Sequence, residues 1–309
     1  MITRNLNRKS NFLSIIEPYP IRWNFRDMAY GPDPNQKIDV KIPKKKDVHA
    51  IIYIHGGAYL VGNKFEYPSF LADYSENNLI ASIDYRLINE NNQLSMQDIL
   101  IDINSAIMKI IELSNSYNCV IKDFLLIGHS AGGHIALLYG YKNMQKEIKI
   151  TACISLAGPT DFTDDSAWSS MTMWGENLET RLSFLSQLGS RLTGHLIELT
   201  QSDWTNQKDF PAVRKYVTDI SPITYVSQNS KIPPTLLIHA RNDDQVPYSN
   251  SVRLKSALHR YSIPGKLITP SGNADSHMLG GTILTENSPI YFGDQKWVKE
   301  AKKWMEKYL

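Results

Sequence analysis

Cysteine is nearly absent from this chain: 309 residues hold only two, Cys119 and Cys153. A disulfide framework is therefore not indicated, and the usage suits a reducing, cytoplasmic setting. Cys153 lies inside an apolar strand-like run and is expected to be a core thiol. Charge of one sign is also lacking. The 33 Lys and Arg against 31 Asp and Glu leave a net charge of +2, which gives no electrostatic case for nucleic acid or an anionic membrane. The triplet Lys44-Lys45-Lys46 falls between two strand-like runs and reads as a solvated hairpin turn. No stretch of about 20 apolar residues occurs, so no membrane span is expected. Met1–Arg26 carries Arg4, Arg8 and Lys9 without an apolar run of signal-peptide length behind them. Neither G-x-x-x-x-G-K-[ST] nor G-x-G-x-x-G is present, so no nucleotide cofactor is expected. His55, His129 and His134 are not spaced as metal ligands, so no metal is expected. Internal repeats and low-complexity tracts are missing too.

What is present is the balance of a globular protein, 42% apolar and 21% charged. Ile38–Ile42, Val48–Ile54, Ile80–Asp84, Phe124–Ile127, Ile150–Leu156, Thr235–His239 and Lys266–Ile268 read as strands. Tyr67–Glu76, Met96–Tyr117, Gly132–Lys142, Ser249–His259 and Gln295–Tyr308 read as helices. In the second helix Ile99, Ile103, Ile107 and Ile110 recur at helical spacing. In the last, Trp297, Ala301, Trp304, Met305 and Tyr308 do the same. Nearly continuous apolar strands alternating with helices predict an α/β fold, a mainly parallel central sheet covered on both faces. Chemistry in such a sheet sits at the C-terminal ends of the strands.

Sequence signals converge there. Gly128-His129-Ser130-Ala131-Gly132-Gly133 follows the apolar run Phe124–Ile127 and opens a helix. A serine on so sharp a strand-to-helix turn is pushed out of the sheet, and its flanking glycines let backbones approach closely. His55-Gly56-Gly57-Ala58 follows Ala50–Ile54. N–H groups of Gly57 and Ala58, with that of Ala131, could hold a developing oxyanion. In His239-Ala240-Arg241-Asn242-Asp243-Asp244-Gln245-Val246-Pro247 a strand runs into a loop with two carboxylates. Asp243 fits the acid position of the pattern H-G-x-x-D-x-x-V-P, with Asp244 its rival and a turn or capping role the alternative for either. His277 lies in the turn-rich Pro270–Met278. Apart from His259, in a helix-like stretch, it is the only histidine after the acid, and we expect it to be the general base. The order Ser130, Asp243, His277 differs from that of chymotrypsin- and subtilisin-type enzymes.

With these residues in place the chain resembles the α/β-hydrolases of the esterase/lipase group, and more narrowly the acetyl- and feruloyl-esterase-like branch. Tyr30–Val40, Asp84-Tyr85-Arg86-Leu87 and Ser221-Pro222-Ile223 carry the resemblance alongside the loops above, from about residue 28 to the C-terminus. It implies a serine carboxylesterase acting on small to medium acetyl- or aryl-type esters through an acyl-enzyme. The catalytic set would be Ser130, Asp243 and His277, with Gly57, Ala58 and Ala131 as the oxyanion hole and no cofactor. The chain departs from the hormone-sensitive-lipase branch in having His129 before the serine, and from many relatives in having Ala58 where they place a third glycine. A kynurenine-formamidase-like amidase shares these motifs and stays open. So do a serine peptidase, disfavoured without a propeller-type domain, and a non-catalytic hydrolase-fold binding protein.

Residues 159–219 interrupt the alternation, where this fold commonly inserts a cap; residues 1–158 and 220–309 would form the hydrolase core. Trp168, Met171, Met173 and Trp174 would line a substrate pocket over Ser130 or form the cap's own small core. A helix is expected from Leu178 to about Leu199, with His195 and Glu198 one turn apart on its surface. Asp84 and Arg86 are expected to pair and brace the oxyanion loop. The partner implied is a small-molecule ester, and a homodimer stays open.

Overall fold

The computed structural model describes residues 21–89, 91–142, 147–164, 177–198, 210–285, 287–293 and 295–309. Eight strands form one sheet: β1 (Phe25–Ala29), β2 (Lys37–Lys41), β3 (Asp47–Ile54), β4 (Leu79–Ile83), β5 (Val120–His129), β6 (Ile150–Leu156), β7 (Thr235–Ile238) and β8 (Gly265–Ile268). Their order is β1-β2-β4-β3-β5-β6-β7-β8. β2 pairs antiparallel with β1 and β4, and every pairing from β4 to β8 is parallel. A small antiparallel pair, β9 (Thr282–Ile283) with β10 (Ile290–Tyr291), lies apart. The α-helices among the described residues are α1 (Met96–Ser116), α2 (Ala131–Lys142), α3 (Leu178–Thr193), α4 (Phe210–Val217), α5 (Tyr248–Arg260) and α6 (Lys296–Tyr308).

The period-two alternation of each strand divides the core into two layers. On β3, Ala50, Ile52 and Ile54 pack with the buried isoleucines of α1 and with α2, whereas Ile51 and Tyr53 face Phe70, Leu71 and α6. Both faces are covered, and that is why the strands read as unbroken apolar runs. α1 starts at a capping box, the Ser95 hydroxyl accepting from the Asp98 N–H and the Asp98 carboxylate from the Ser95 N–H. Its predicted stripe of Ile99, Ile103, Ile107 and Ile110 is buried. In α6, Trp297, Ala301 and Met305 are buried, and Trp304 and Tyr308 pack at the layer's margin. Residues 131–141 of α2 are buried throughout.

The sequence reading needs several corrections. Tyr67–Glu76 holds a 3-10 turn, Ser69–Tyr74, rather than an α-helix: Pro68 starts it, no side chain caps it, and its end closes within a few residues. Lys44–Lys46 is exposed, yet it does not turn a hairpin, because β4 lies between β2 and β3. β1 was not expected. Its pairing slips between Phe25 and Met28, where Asp27 adopts φ 54°, so no clean alternation marks it. α3 stops at Thr193 because Gly194 takes the left-handed conformation at its C-terminus.

Strand register places the functional edge. Ile54 lies opposite Gly128, Gly128 opposite Ser155, Leu156 opposite Ile238, and Ile238 opposite Ile268. The loops leaving β3, β5, β7 and β8 therefore open along one edge of the sheet. The chain order reverses between β3 and β5, the position where open α/β sheets place ligands.

Arg86 does not pair with Asp84. Its guanidinium grips Asp102 of α1 at 2.7 and 2.9 Å, its own N–H adds a bond at 3.0 Å, and Gln36 donates to the same carboxylate at 2.8 Å. The Asp102 side chain is fully buried. Arg86→Leu leaves that charge short of donors and is expected to lower unfolding stability by about 3 kcal/mol, read from the urea midpoint at unchanged slope.

Candidate active site

Ser130 follows the last residue of β5 and sits at φ 52°, a left-handed conformation that side-chain-bearing residues adopt under strain. Its N–H is tied to the Leu156 carbonyl at 2.7 Å. The turn can press this close to β3 because position 132 is glycine: a Cβ there would lie 2.0 Å from the Ile54 carbonyl oxygen. The result is a hydroxyl raised above the sheet at the start of α2.

His277 Nε2 lies 2.9 Å from Ser130 Oγ. On the other side of the ring, Nδ1 lies 3.0 and 2.9 Å from the two carboxylate oxygens of Asp243. Facing a carboxylate, Nδ1 must carry the proton, so Nε2 is left to accept from the serine hydroxyl. The Asp243 side chain is fully buried and that of His277 is 5% exposed. Burial pushes the Asp243 carboxyl up, but hydrogen bonds from His239 and His277 outweigh it and hold the group well below the usual carboxylate range. The loop amides of Gln245 and Val246 also donate to its Oδ1. Asp244, the rival, is exposed.

The loop after β3 reaches the same place. Gly57 has φ 99° and cannot carry a Cβ, which would fall 2.0 Å from the Val61 carbonyl oxygen. Ala58 and Tyr59 follow at φ 52° and 67°, so a third glycine is not required to make this turn. Among the described residues, none accepts a hydrogen bond from the N–H groups of Gly57, Ala58 or Ala131. The loop is anchored from behind by Lys64, only 2% exposed, whose ammonium meets Asp27 at 2.7 Å, Asp84 at 3.4 Å and Asp39 at 3.6 Å. This is the pairing Asp84 makes in place of Arg86.

Three further histidines are built into the walls. His129 Nε2 contacts the carbonyl of His277 at 3.1 Å, tying the serine turn to the His277 loop. His134 is held between Tyr59 Oη at 2.8 Å and the Ile220 carbonyl at 2.6 Å. His55 stacks on Tyr85 with ring centres 4.4 Å apart. Burial lowers each to about 4 from an ordinary 6.5. An unfolded chain takes up protons on these rings near pH 6.5, whereas the folded protein resists until about pH 4. Their contribution is therefore complete above the higher value and lost steadily as pH falls between the two. The urea midpoint is expected to drop continuously over that window, and a flat midpoint would show that these rings are not held neutral.

His239 was not singled out by the sequence reading. Buried at the end of β7, it contacts Asp243 Oδ2 through Nε2 at 3.2 Å. His195 and Glu198 do not share a helix. They lie beyond Gly194, and His195 stacks on Tyr216 at 4.2 Å. Trp168, Met171, Met173 and Trp174 fall outside the described residues. Among the described residues, no cluster of three or more His, Cys, Asp or Glu is arranged to hold a metal ion, and no helix is long and apolar enough to cross a membrane. Cys119 and Cys153 are both free and buried.

A hydroxyl, an imidazole and a buried carboxylate in hydrogen-bonded series, beside unpaired N–H groups, can perform nucleophilic acyl transfer. The chain is similar to several known proteins. Isoprenylcysteine alpha-carbonyl methylesterase of Arabidopsis thaliana is 21% identical over 82% of this chain, and an esterase of Gibberella moniliformis is 23% identical over 81% of it. The chain spans 57% of the former's length and 73% of the latter's. Among solved structures, esterase B of Lactobacillus rhamnosis matches with a TM-score of 0.65 at 16% identity, over 98% of this chain and 90% of that one. An esterase of Thermogutta terrifontis matches at 0.62 and 17%, over 94% of each. These likenesses carry the α/β-hydrolase fold. The BD-FAE family model matches residues 38–258, and the chain belongs to that family.

Proposed function

We propose that this protein is a serine esterase that hydrolyses small to medium carboxylic esters, of acetyl or aryl type, through a covalent acyl-enzyme. The observation that carries the proposal is the series Ser130 Oγ–His277 Nε2 at 2.9 Å and His277 Nδ1–Asp243 at 2.9–3.0 Å. The ester-cleaving names of both sequence relatives support the bond type.

In this reading Ser130 Oγ attacks the ester carbonyl as His277 Nε2 takes its proton. The tetrahedral oxyanion is bound by the N–H groups of Gly57, Ala58 and Ala131. His277 then protonates the leaving alcohol, and the acyl group stays on Ser130. A water molecule, deprotonated by the same imidazole, attacks the acyl-enzyme; collapse returns the proton to Ser130 and releases the acid. Asp243 keeps the proton of His277 on Nδ1 and stabilises the imidazolium. In this reading residues 1–158 and 220–309 would be the hydrolase core and residues 159–219 its inserted cap. Two free buried thiols fit a cytoplasmic setting.

Hydrolysis of p-nitrophenyl acetate, butyrate and octanoate and of methyl ferulate tests the proposal. Turnover of at least one ester that disappears in Ser130→Ala is expected. Turnover of formamides or amides with none of esters would replace the substrate class while keeping the same nucleophile.

A further inference from the structure

Asp243 is shared by two imidazoles. Its Oδ1 takes the loop amides of Gln245 and Val246 at 2.9 and 2.8 Å, and its Oδ2 lies 2.9 Å from His277 Nδ1 and 3.2 Å from His239 Nε2. The contacts of His239 settle where its proton sits. Nε2 faces only acceptors, the Val246 carbonyl at 2.9 Å and the carboxylate, so it must be the N–H. Nδ1 lies 2.7 Å from Ser251 Oγ of α5, and with the ring proton on Nε2 it accepts from that hydroxyl. With the proton on Nε2, both ring nitrogens of this fully buried imidazole have partners.

We propose that His239 is a positioning residue: it donates to Asp243 beside His277, fixes the carboxylate against the base, and limits how strongly that carboxylate pulls on the His277 N–H. The inference rests on the reading of Ser130, His277 and Asp243 as the reacting set. Two donors on one oxygen share its charge, so each bond is weaker than it would be alone. Among the described residues, the other groups facing these rings are few. The His129 ring stands 5.1 Å from that of His277, and Tyr248 of α5 meets His239 edge-on at 5.9 Å, with the Arg241 guanidinium over the ring of that tyrosine at 5.3 Å. Asp275, two residues before His277, is turned to Asn242 at 2.7 Å. None of them supplies a second side-chain donor to Asp243.

The test combines two histidine variants with the native protein. In His239→Leu, Asp243 loses one donor and binds the His277 imidazolium more tightly. The acid limb of the kcat/KM profile should move up by about half a pH unit, and the low-field proton of the His277–Asp243 bond should move further downfield. A carboxylate freer to turn should lower kcat roughly 10-fold with KM little changed. His239→Gln, which restores an N–H donor, should return both the limb and the resonance towards native. An unmoved limb and resonance in a folded Leu variant would overturn the proposal, as would a Gln variant no better than Leu. Should the Leu variant not fold, nitrogen-15 histidine spectra of the native protein decide: a neutral Nε2–H tautomer for His239 supports the proposal, and an Nδ1–H tautomer overturns it. Ser130→Ala separates the two levels. If it is inactive while His239→Leu behaves as native, only the role of His239 fails; if it keeps native turnover, the reacting set fails and this inference with it.

Discussion

Replacing Ser130 with alanine is expected to lower kcat for any ester the native protein turns over by roughly 10⁴- to 10⁶-fold. The change removes one oxygen and leaves the fold alone. Ser130 holds its place through its backbone, with the N–H on Leu156 and the carbonyl on the His134 N–H at 3.1 Å. Among the described residues, the hydroxyl's partner is the His277 ring. Alanine also tolerates φ 52° no worse than serine. KM should therefore stay within a few-fold and the urea midpoint should hardly move. A matching fall in stability would mean that lost activity reported unfolding rather than a lost nucleophile.

The second large effect is expected at Asp243. Asp243→Asn is nearly isosteric, yet kcat should fall about 10⁴-fold. The reason lies in which groups surround the carboxylate. Oδ1 receives the amides of Gln245 and Val246, so the amide oxygen of asparagine must occupy that side. Its NH₂ then replaces Oδ2 and faces the N–H of His239 and Nδ1 of His277. Donor meets donor, and the cheapest relief is for His277 to move its proton to Nε2. That nitrogen can then no longer accept from Ser130. The loss should be greatest where rate depends on the base and should leave substrate binding largely intact. Asp244→Asn, an exposed change, should leave kcat within a factor of two; a large loss there would exchange the two aspartates.

The legible parts of this site were those written into the chain as local patterns. Gly57 and Gly132 mark places where a Cβ would strike backbone oxygen at 2.0 Å, and such constraints leave a short glycine signature. The apolar runs before them, buried on both sides, identified the strands, and the strand ends placed the loops. Partners set by the tertiary fold were not legible. Arg86 sits two residues from Asp84, but residue 86 faces α1 and 84 faces the loop at Lys64, so each found its counter-ion elsewhere. His239 belongs to the same short pattern as Asp243. Nothing in the spacing says that the strand end and the loop return to one carboxylate oxygen, or that Ser251 waits on the other side of the ring. β1 was missed because its bulge breaks the period-two pattern, and the helical expectation past Gly194 failed because a single left-handed residue ended the helix.

The central claim is that Ser130 is a nucleophile primed by His277. It is tested most directly by exposing the native protein to a fluorophosphonate at neutral pH and mapping the adduct by mass spectrometry. A single stoichiometric adduct on the peptide containing Ser130 is expected, lost in Ser130→Ala and greatly slowed in His277→Ala. An unlabelled Ser130 in a protein that still hydrolyses esters, or labelling that is indifferent to His277, would contradict it.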